Sequence, residues 1–413
     1  MRADIFCRVV DNYGDIGVCW RLARRLAHGH GWQVRLWVDE LRAFARIQPG
    51  VSSDQTWQTV EGVDILHWTQ DDDLAGVIPG DVVIEAFACD PPAAFVQAMR
   101  AQVQSGDRQP VWLNLEYLSA ESWVESCHGL PSMQADGLVK HFFFPGFTKG
   151  TGGLLREPGL SAQRDEMQAS REAQARFLSE TLAVKADALG HWHGGARLVS
   201  LFCYPYAPVN ALVRGLLDDE RPSLLLVPEG VAPGLEETLR AARTAGRAHA
   251  GAHLRIARVP FVAQPDFDRL LWCADLNFVR GEDSFVRAAW AARPLVWQIY
   301  AQDEDAHLDK LQAWLARYPG PAEAQALIRA WNRAPDAFSS DDGVATARDT
   351  APDRADACTA ADSDFSAALR AALREPAWSA WQAAARRWDA EQASRRDLAD
   401  SLAFFCAEKL KKR

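Results

Sequence analysis

The chain has 413 residues, nearly half of them hydrophobic, and a formal net charge of −10. That length exceeds one ordinary core and implies two domains. The acidic balance, with no basic block before the last few residues, argues against DNA or RNA as a ligand. No apolar run approaches the ~20 residues of a membrane span, and eight cysteines without a CxxC pair suggest neither a zinc knuckle nor a disulfide framework. The start, MRADIFCRVV, is broken by charges and reads as a strand, not a signal peptide. Reduced cysteines in a cytoplasmic protein are the expectation.

In the first half, residues 4–10, 34–38, 81–87 and 111–117 are apolar runs of strand length. Helical patterns lie between them, so a parallel α/β sheet is predicted. The first helix has Val18, Leu22 and Leu26 on one face, with Arg21, Arg24 and Arg25 expected toward solvent. Between the first strand and this helix lies Asp11-Asn12-Tyr13-Gly14-Asp15-Ile16-Gly17. Loops at the carboxyl ends of parallel strands are where ligands bind in such sheets. Asp11 and Asp15, four residues apart, can face one crevice, and Asp15 can serve as a general base if burial raises its pKa. The competing roles are structural: Asp15 as a helix cap and Asp11 in an Asx-turn. Gly14 and Gly17 do not make a GxGxxG fingerprint. Further on, Glu116-Tyr117 and the aromatic run Lys140 to Phe147 can line an acceptor groove or fill a domain interface. Asp71-Asp72-Asp73 and the His191 and His28 pairs lack the partners that a metal site requires.

A second alternation of strand and helix occupies residues 197–300. Its central stretch, Asp275 to Tyr300, reads as strand, turn, helix and strand, with Arg280-Gly281-Glu282-Asp283-Ser284 at the turn. A helix N-terminus here offers free N–H groups to a phosphate, and Arg280 adds a fork for two phosphate oxygens. Asp283 or Ser284 as a plain N-cap, and an Arg280–Glu282 surface pair, are the structural alternatives. Tyr204 and Gln264 fall just past neighbouring strands and can reach a base and a hydroxyl. Residues 335–364, poor in large apolar side chains, read as a disordered or solvated insertion. Helices bearing Trp378, Trp381, Trp388, Leu398 and Phe405 close the chain.

Two motifs go beyond composition. DNYGDIGVCWRLAR (residues 11–24) and RGEDSF (residues 280–285), with SLFCY (200–204) and PFVAQ (260–264) in order between them, resemble the EarP family of protein-arginine rhamnosyltransferases that modify elongation factor P. The resemblance runs over essentially the whole chain. It implies a GT-B fold, two Rossmann-like domains facing across a cleft. It also implies inverting transfer of rhamnose from dTDP-β-L-rhamnose to an arginine of elongation factor P, activating that translation factor, with no metal or other cofactor. Carried over by motif position, Asp15 is the expected base, and Asp11 and Glu282 are further catalytic carboxylates. Asn12, Tyr13, Gly14, Tyr204, Gln264, Arg280, Gly281, Glu282, Asp283 and Ser284 are expected around the donor. The expected division is residues 1–180 on the acceptor side, 181–375 for the donor, and 376–413 as C-terminal helices packing back on the first domain. The residues by themselves also admit a GT-B nucleotide-sugar enzyme, transferase or epimerase, acting on a small molecule or lipid, or a non-catalytic nucleotide-sugar sensor.

Overall fold

The computed structural model describes residues 1–11, 13–72, 74, 76–244, 253–302, 306–333 and 352–411, the side chains of 352–361 excepted. The chain divides into two compact units: Met1–Leu160 with Val262–Gln264 and Glu391–Arg413, and Ser161–Phe261 with Pro265–Ala390.

The first unit is built on an eight-stranded sheet ordered β3-β4-β2-β1-β5-β6-β8-β7. Its strands are β1 (Arg2–Cys7), β2 (Gln33–Val38), β3 (Trp57–Val60), β4 (Val63–His67), β5 (Val82–Ala86), β6 (Val111–Leu115), β7 (Pro131–Met133) and β8 (Val139–Phe143). β1 pairs in parallel with β2 on one side and β5 on the other, Ile5 facing Leu36 and Ile84. β3 and β7 are antiparallel edges. Strands β5 and β6 are buried at every position, as expected of strands covered on both faces. The sequence reading missed β3, β4, β7 and β8. Part of the aromatic run read as groove or filler, Lys140 to Phe143, is strand β8 inside this sheet.

Helix α1 (Gly14–Arg24) follows β1 and runs into a π-turn, Arg25–Gly29. Two arginines expected to face solvent are buried, Arg21 at 2% and Arg25 at 7% exposure. Arg21 pairs with Glu157 at 3.0 Å, and Arg25 pairs with Asp397 at 2.8 Å. The helical wheel was misread because this face is covered by later chain, from residues 150–160 and from the C-terminus. A Cβ at Gly153, φ +83°, would run into the Arg396 carbonyl, so only glycine lets the C-terminal segment seat there.

The second unit carries an all-parallel sheet ordered β11-β10-β9-β12-β13. Its strands are β9 (Arg197–Leu201), β10 (Ser223–Pro228), β11 (Leu254–Val259), β12 (Leu276–Arg280) and β13 (Leu295–Gln298). Of the stretch read as an insertion, residues 335–351 lie outside the described residues. From Pro352 the chain is a helix to Leu373. That helix is anchored on helix Val209–Leu217: Ser366 Oγ donates to the Ala211 carbonyl at 3.0 Å, and Leu369 is fully buried. Alanine-rich composition concealed it, because small residues let two helices approach closely without a conspicuous apolar stripe.

Candidate active site

In the first sheet the chain order reverses at β1, with β2 on one side and β5 on the other. In open α/β sheets ligands bind at such a switch point, outside the carboxyl ends of the strands, here those of β1 and β5. Asp15 lies there, in the first turn of α1 and 3% exposed. Its Oδ2 accepts the backbone N–H of Val10 at 2.8 Å and of Asp11 at 2.9 Å. The residue at the N-cap is Tyr13, and no side chain caps this helix. Asp15 therefore folds the preceding loop back on itself instead of capping. Burial pushes its carboxyl above the ordinary carboxylate range; the two amide bonds oppose that, and the charges of Asp11 and Asp39 add to it. Asp39, just after β2, accepts the Val9 N–H at 2.8 Å. Two carboxylates thus hold three successive loop amides; Asp39's part depends on a contact between strand exits that spacing along the chain does not show.

The rest of the loop is local. Gly14 N–H donates to the Asp11 carbonyl at 2.7 Å, and Gly17 N–H to that of Tyr13 at 3.0 Å. A Cβ at Gly14 would lie 3.0 Å from Asp11 Oδ2, so glycine leaves that carboxylate its place. The Tyr13 ring sits under the Arg46 guanidinium at 5.7 Å. Asn12 lies outside the described residues. Gln264 also belongs to this unit: its Nε2 donates to the Gly17 carbonyl at 3.1 Å, and Arg24 donates to its Oε1 at 3.5 Å. The sequence had grouped Gln264 with Arg280; the structure ties it to α1.

In the second unit, Arg280 ends β12 and Asp283–Trp290 is the following helix. Gly281 takes φ +59°, a left-handed bend that glycine adopts without penalty. Its N–H donates to the Gln298 carbonyl at 3.1 Å, and its own carbonyl accepts Trp297 Nε1–H at 2.7 Å. Trp297 in turn stacks on buried Phe285 at 4.1 Å, so the aromatic core fixes where the helix begins. Arg280 donates to the Cys203 carbonyl at 3.2 Å. Its guanidinium lies 4.5 Å from the Phe202 ring centre and 4.7 Å from that of Tyr204. A fork held in this way would lose little freedom on meeting an anion.

The other turn residues differ in role. Ser284 Oγ accepts the Arg280 N–H at 3.1 Å and donates to the Arg280 carbonyl. Glu282 occupies the N-cap without a side-chain cap bond. It pairs with Lys310 at 3.6 Å, not with Arg280. Asp283 opens the helix as its acidic first-turn residue. Tyr204 is buried and stacked on Tyr206 at 5.4 Å, while its N–H donates to Gln298 Oε1 at 2.8 Å. In this geometry Tyr204 supports Arg280. Phe202, Gln298 and Lys310 went unread in the sequence; Phe202 stood inside a recognised motif, but its alternation with Tyr204 was not used.

Among the described residues no group of His, Cys, Asp or Glu could hold a metal ion. Among the described residues no helix is long and apolar enough to cross a membrane. Cys7, Cys19, Cys89, Cys127, Cys203, Cys273 and Cys406 are free thiols.

Two Rossmann-like sheets in one chain are the plan of a GT-B glycosyltransferase. The fold is shared with the solved structure of TcCGT1 in complex with UDP, which matches with a TM-score of 0.50 at 9% identity, covering 100% of this chain and 98% of that one. The family model described as elongation factor P (EF-P) rhamnosyltransferase EarP matches residues 3–407. The chain belongs to the EarP family. It is 47% identical to the protein-arginine rhamnosyltransferase of Pseudomonas putida KT2440, over 97% of each chain. It is 48% identical to that of Pseudomonas aeruginosa PAO1, over 98% of each. A solved structure described as the structural basis for EarP-mediated arginine glycosylation of translation elongation factor EF-P matches with a TM-score of 0.59 and 34% identity, covering 98% of this chain and 99% of that one.

Proposed function

We propose that this chain transfers rhamnose from dTDP-β-L-rhamnose, with inversion, to one arginine side chain of elongation factor P in the cytoplasm, without a metal ion. The observation that carries the reading is Asp15: a buried carboxylate with a raised pKa, held by two loop amides at the switch point of the first sheet. Family membership supplies the sugar and the protein acceptor.

Arginine presents a chemical difficulty. Its pKa exceeds ~12, so a carboxylate cannot deprotonate it in the ground state. Asp15 and Asp11 first orient the guanidinium by charge-assisted hydrogen bonds. One nitrogen then attacks the anomeric carbon from the face opposite the nucleotide. As the C–N bond forms, that nitrogen withdraws from the delocalised system and its proton becomes acidic. Asp15 accepts the proton at this stage. The bond from the anomeric carbon to the nucleotide oxygen breaks, and its electron pair leaves with dTDP. Arg280 and the N–H groups at the start of helix Asp283–Trp290 stabilise the departing pyrophosphate. Ser284 keeps the Arg280 backbone in place, and Glu282 contributes its carboxylate beside the donor.

The anomeric configuration of the product tests the mechanism. The one-bond carbon–proton coupling of the transferred sugar, read by NMR, should report an α-linkage, and turnover should survive a chelator. A β-linked product would overturn inversion, and loss of activity restored by a divalent cation would overturn metal independence.

A further inference from the structure

Three features at the exits of β5 and β6 have no part in the chemistry above. Phe87, Ala88 and Asp90 all take left-handed φ angles of 58°, 54° and 46°. Such backbone is uncommon outside glycine and persists where the surroundings enforce it, often at sites that bind. The Phe87 ring stacks on Tyr117 at 4.5 Å with the planes 17° apart. Both rings are only partly buried. Beside them stands Glu116, also partly buried.

One buried side chain braces the three. Asn114, 3% exposed, donates from Nδ2 to Glu116 Oε1 at 2.6 Å and accepts the Ala88 N–H on Oδ1 at 3.1 Å. Phe87 N–H donates to the Leu115 carbonyl at 2.7 Å. The thiol of Cys89 reaches the Phe6 carbonyl of β1 at 3.3 Å. These bonds tie the β5 loop to β6 on one side and to β1 on the other, and the β1 exit carries Asp11 and Asp15. A carboxylate and an aromatic plane thus stand at the same end of the sheet as the base.

A guanidinium is a flat, weakly hydrated cation that stacks on aromatic faces while its edge donates to carboxylates. Resting on the arginine acceptor proposed above, we infer that Glu116 and the Phe87–Tyr117 pair bind the acceptor guanidinium, Glu116 taking an N–H edge and the rings covering its flat face. They hold the plane while Asp15 receives the proton, so they serve acceptor binding and orientation and not donor binding.

The test measures transfer to elongation factor P with dTDP-β-L-rhamnose and separates the two substrates. Glu116→Gln, which keeps the shape and the Asn114 contact, should raise the acceptor KM about tenfold. Tyr117→Leu should do likewise, and Tyr117→Phe, which keeps the ring, should restore the wild-type value. The donor KM should stay within about twofold in all three, since no acceptor-binding group contributes to donor affinity. An unchanged acceptor KM in Glu116→Gln would overturn the inference, and so would a parallel rise in donor KM. If Tyr117→Leu does not fold, Glu116→Gln decides alone. Absence of transfer by the wild-type protein would instead strike the proposed function.

Discussion

Asp15 Oδ2 accepts the backbone N–H of Asp11 at 2.9 Å, so the second carboxylate of the first loop is placed by the first turn of the helix that follows it. The same oxygen holds Val10 at 2.8 Å. One buried acid therefore sets the conformation of the loop and is itself held against rotation. That coupling leads to the first prediction. Asp15→Asn keeps a carbonyl oxygen for both amides but cannot take a proton. Transfer should fall by ~10²-fold or more, while dTDP-rhamnose affinity by calorimetry stays near wild type. Intact transfer would remove Asp15 from the role of base.

The pH dependence follows from the raised carboxyl of Asp15, whose main cause is burial. An acid with a raised folded pKa is protonated in both states below its ordinary value and costs the fold nothing there. Between the ordinary and the raised value the unfolded chain ionises first, so stability is lost as pH rises, and the loss persists above. Asp15→Asn should thus be at least as heat-stable as wild type at neutral pH. Single-turnover transfer should show an acid limb above the ordinary carboxylate range. A limb at the ordinary value or below it would contradict the assignment.

Arg280 is held on two aromatic rings and on the Cys203 carbonyl. Arg280→Ala should weaken donor binding by about 2–5 kcal/mol, the cost of removing one partner from a buried charge pair. Arg280→Lys should recover little of it, because an ammonium offers no planar fork. Calorimetry with dTDP reads both, and unchanged affinity would make Arg280 a structural residue.

Ser284 bonds both backbone groups of Arg280. Ser284→Ala should cost donor affinity about 1 kcal/mol, the net worth of an ordinary hydrogen bond. Equal affinity would show that the turn holds its shape without the hydroxyl.

Within helix Asp283–Trp290, Arg287 grips Asp268 through two bonds of 2.8 Å, with side chains 1% and 6% exposed. Arg287→Ala removes the fork and leaves the carboxylate buried, which should destabilise the second unit by about 3–5 kcal/mol. Thermal unfolding checks this, and an unchanged midpoint would contradict it.

Much of this arrangement was legible in the residues. The runs 81–87, 111–117 and 197–204 announced strands, which form at Val82–Ala86, Val111–Leu115 and Arg197–Leu201 with both faces covered. Asp15, in the first turn of the helix after β1, and Arg280, at the end of β12, stood out because ligands bind at the carboxyl ends of the strands in such a sheet. What escaped depends on long-range contact. Arg21 and Arg25 look like a solvated helix face until Glu157 and Asp397 return to cover them. Gln264 sits in sequence near Arg280 but bonds to Gly17. The brace made by Asn114 joins two strand exits, and spacing along one strand carries no trace of it.

The most direct test of the account is intact mass spectrometry of elongation factor P after incubation with this protein and dTDP-β-L-rhamnose. The account predicts a gain of one deoxyhexose, mapped by fragmentation to a single arginine, that is absent with Asp15→Asn. No gain despite measurable donor binding, or a gain on any residue other than arginine, would contradict it.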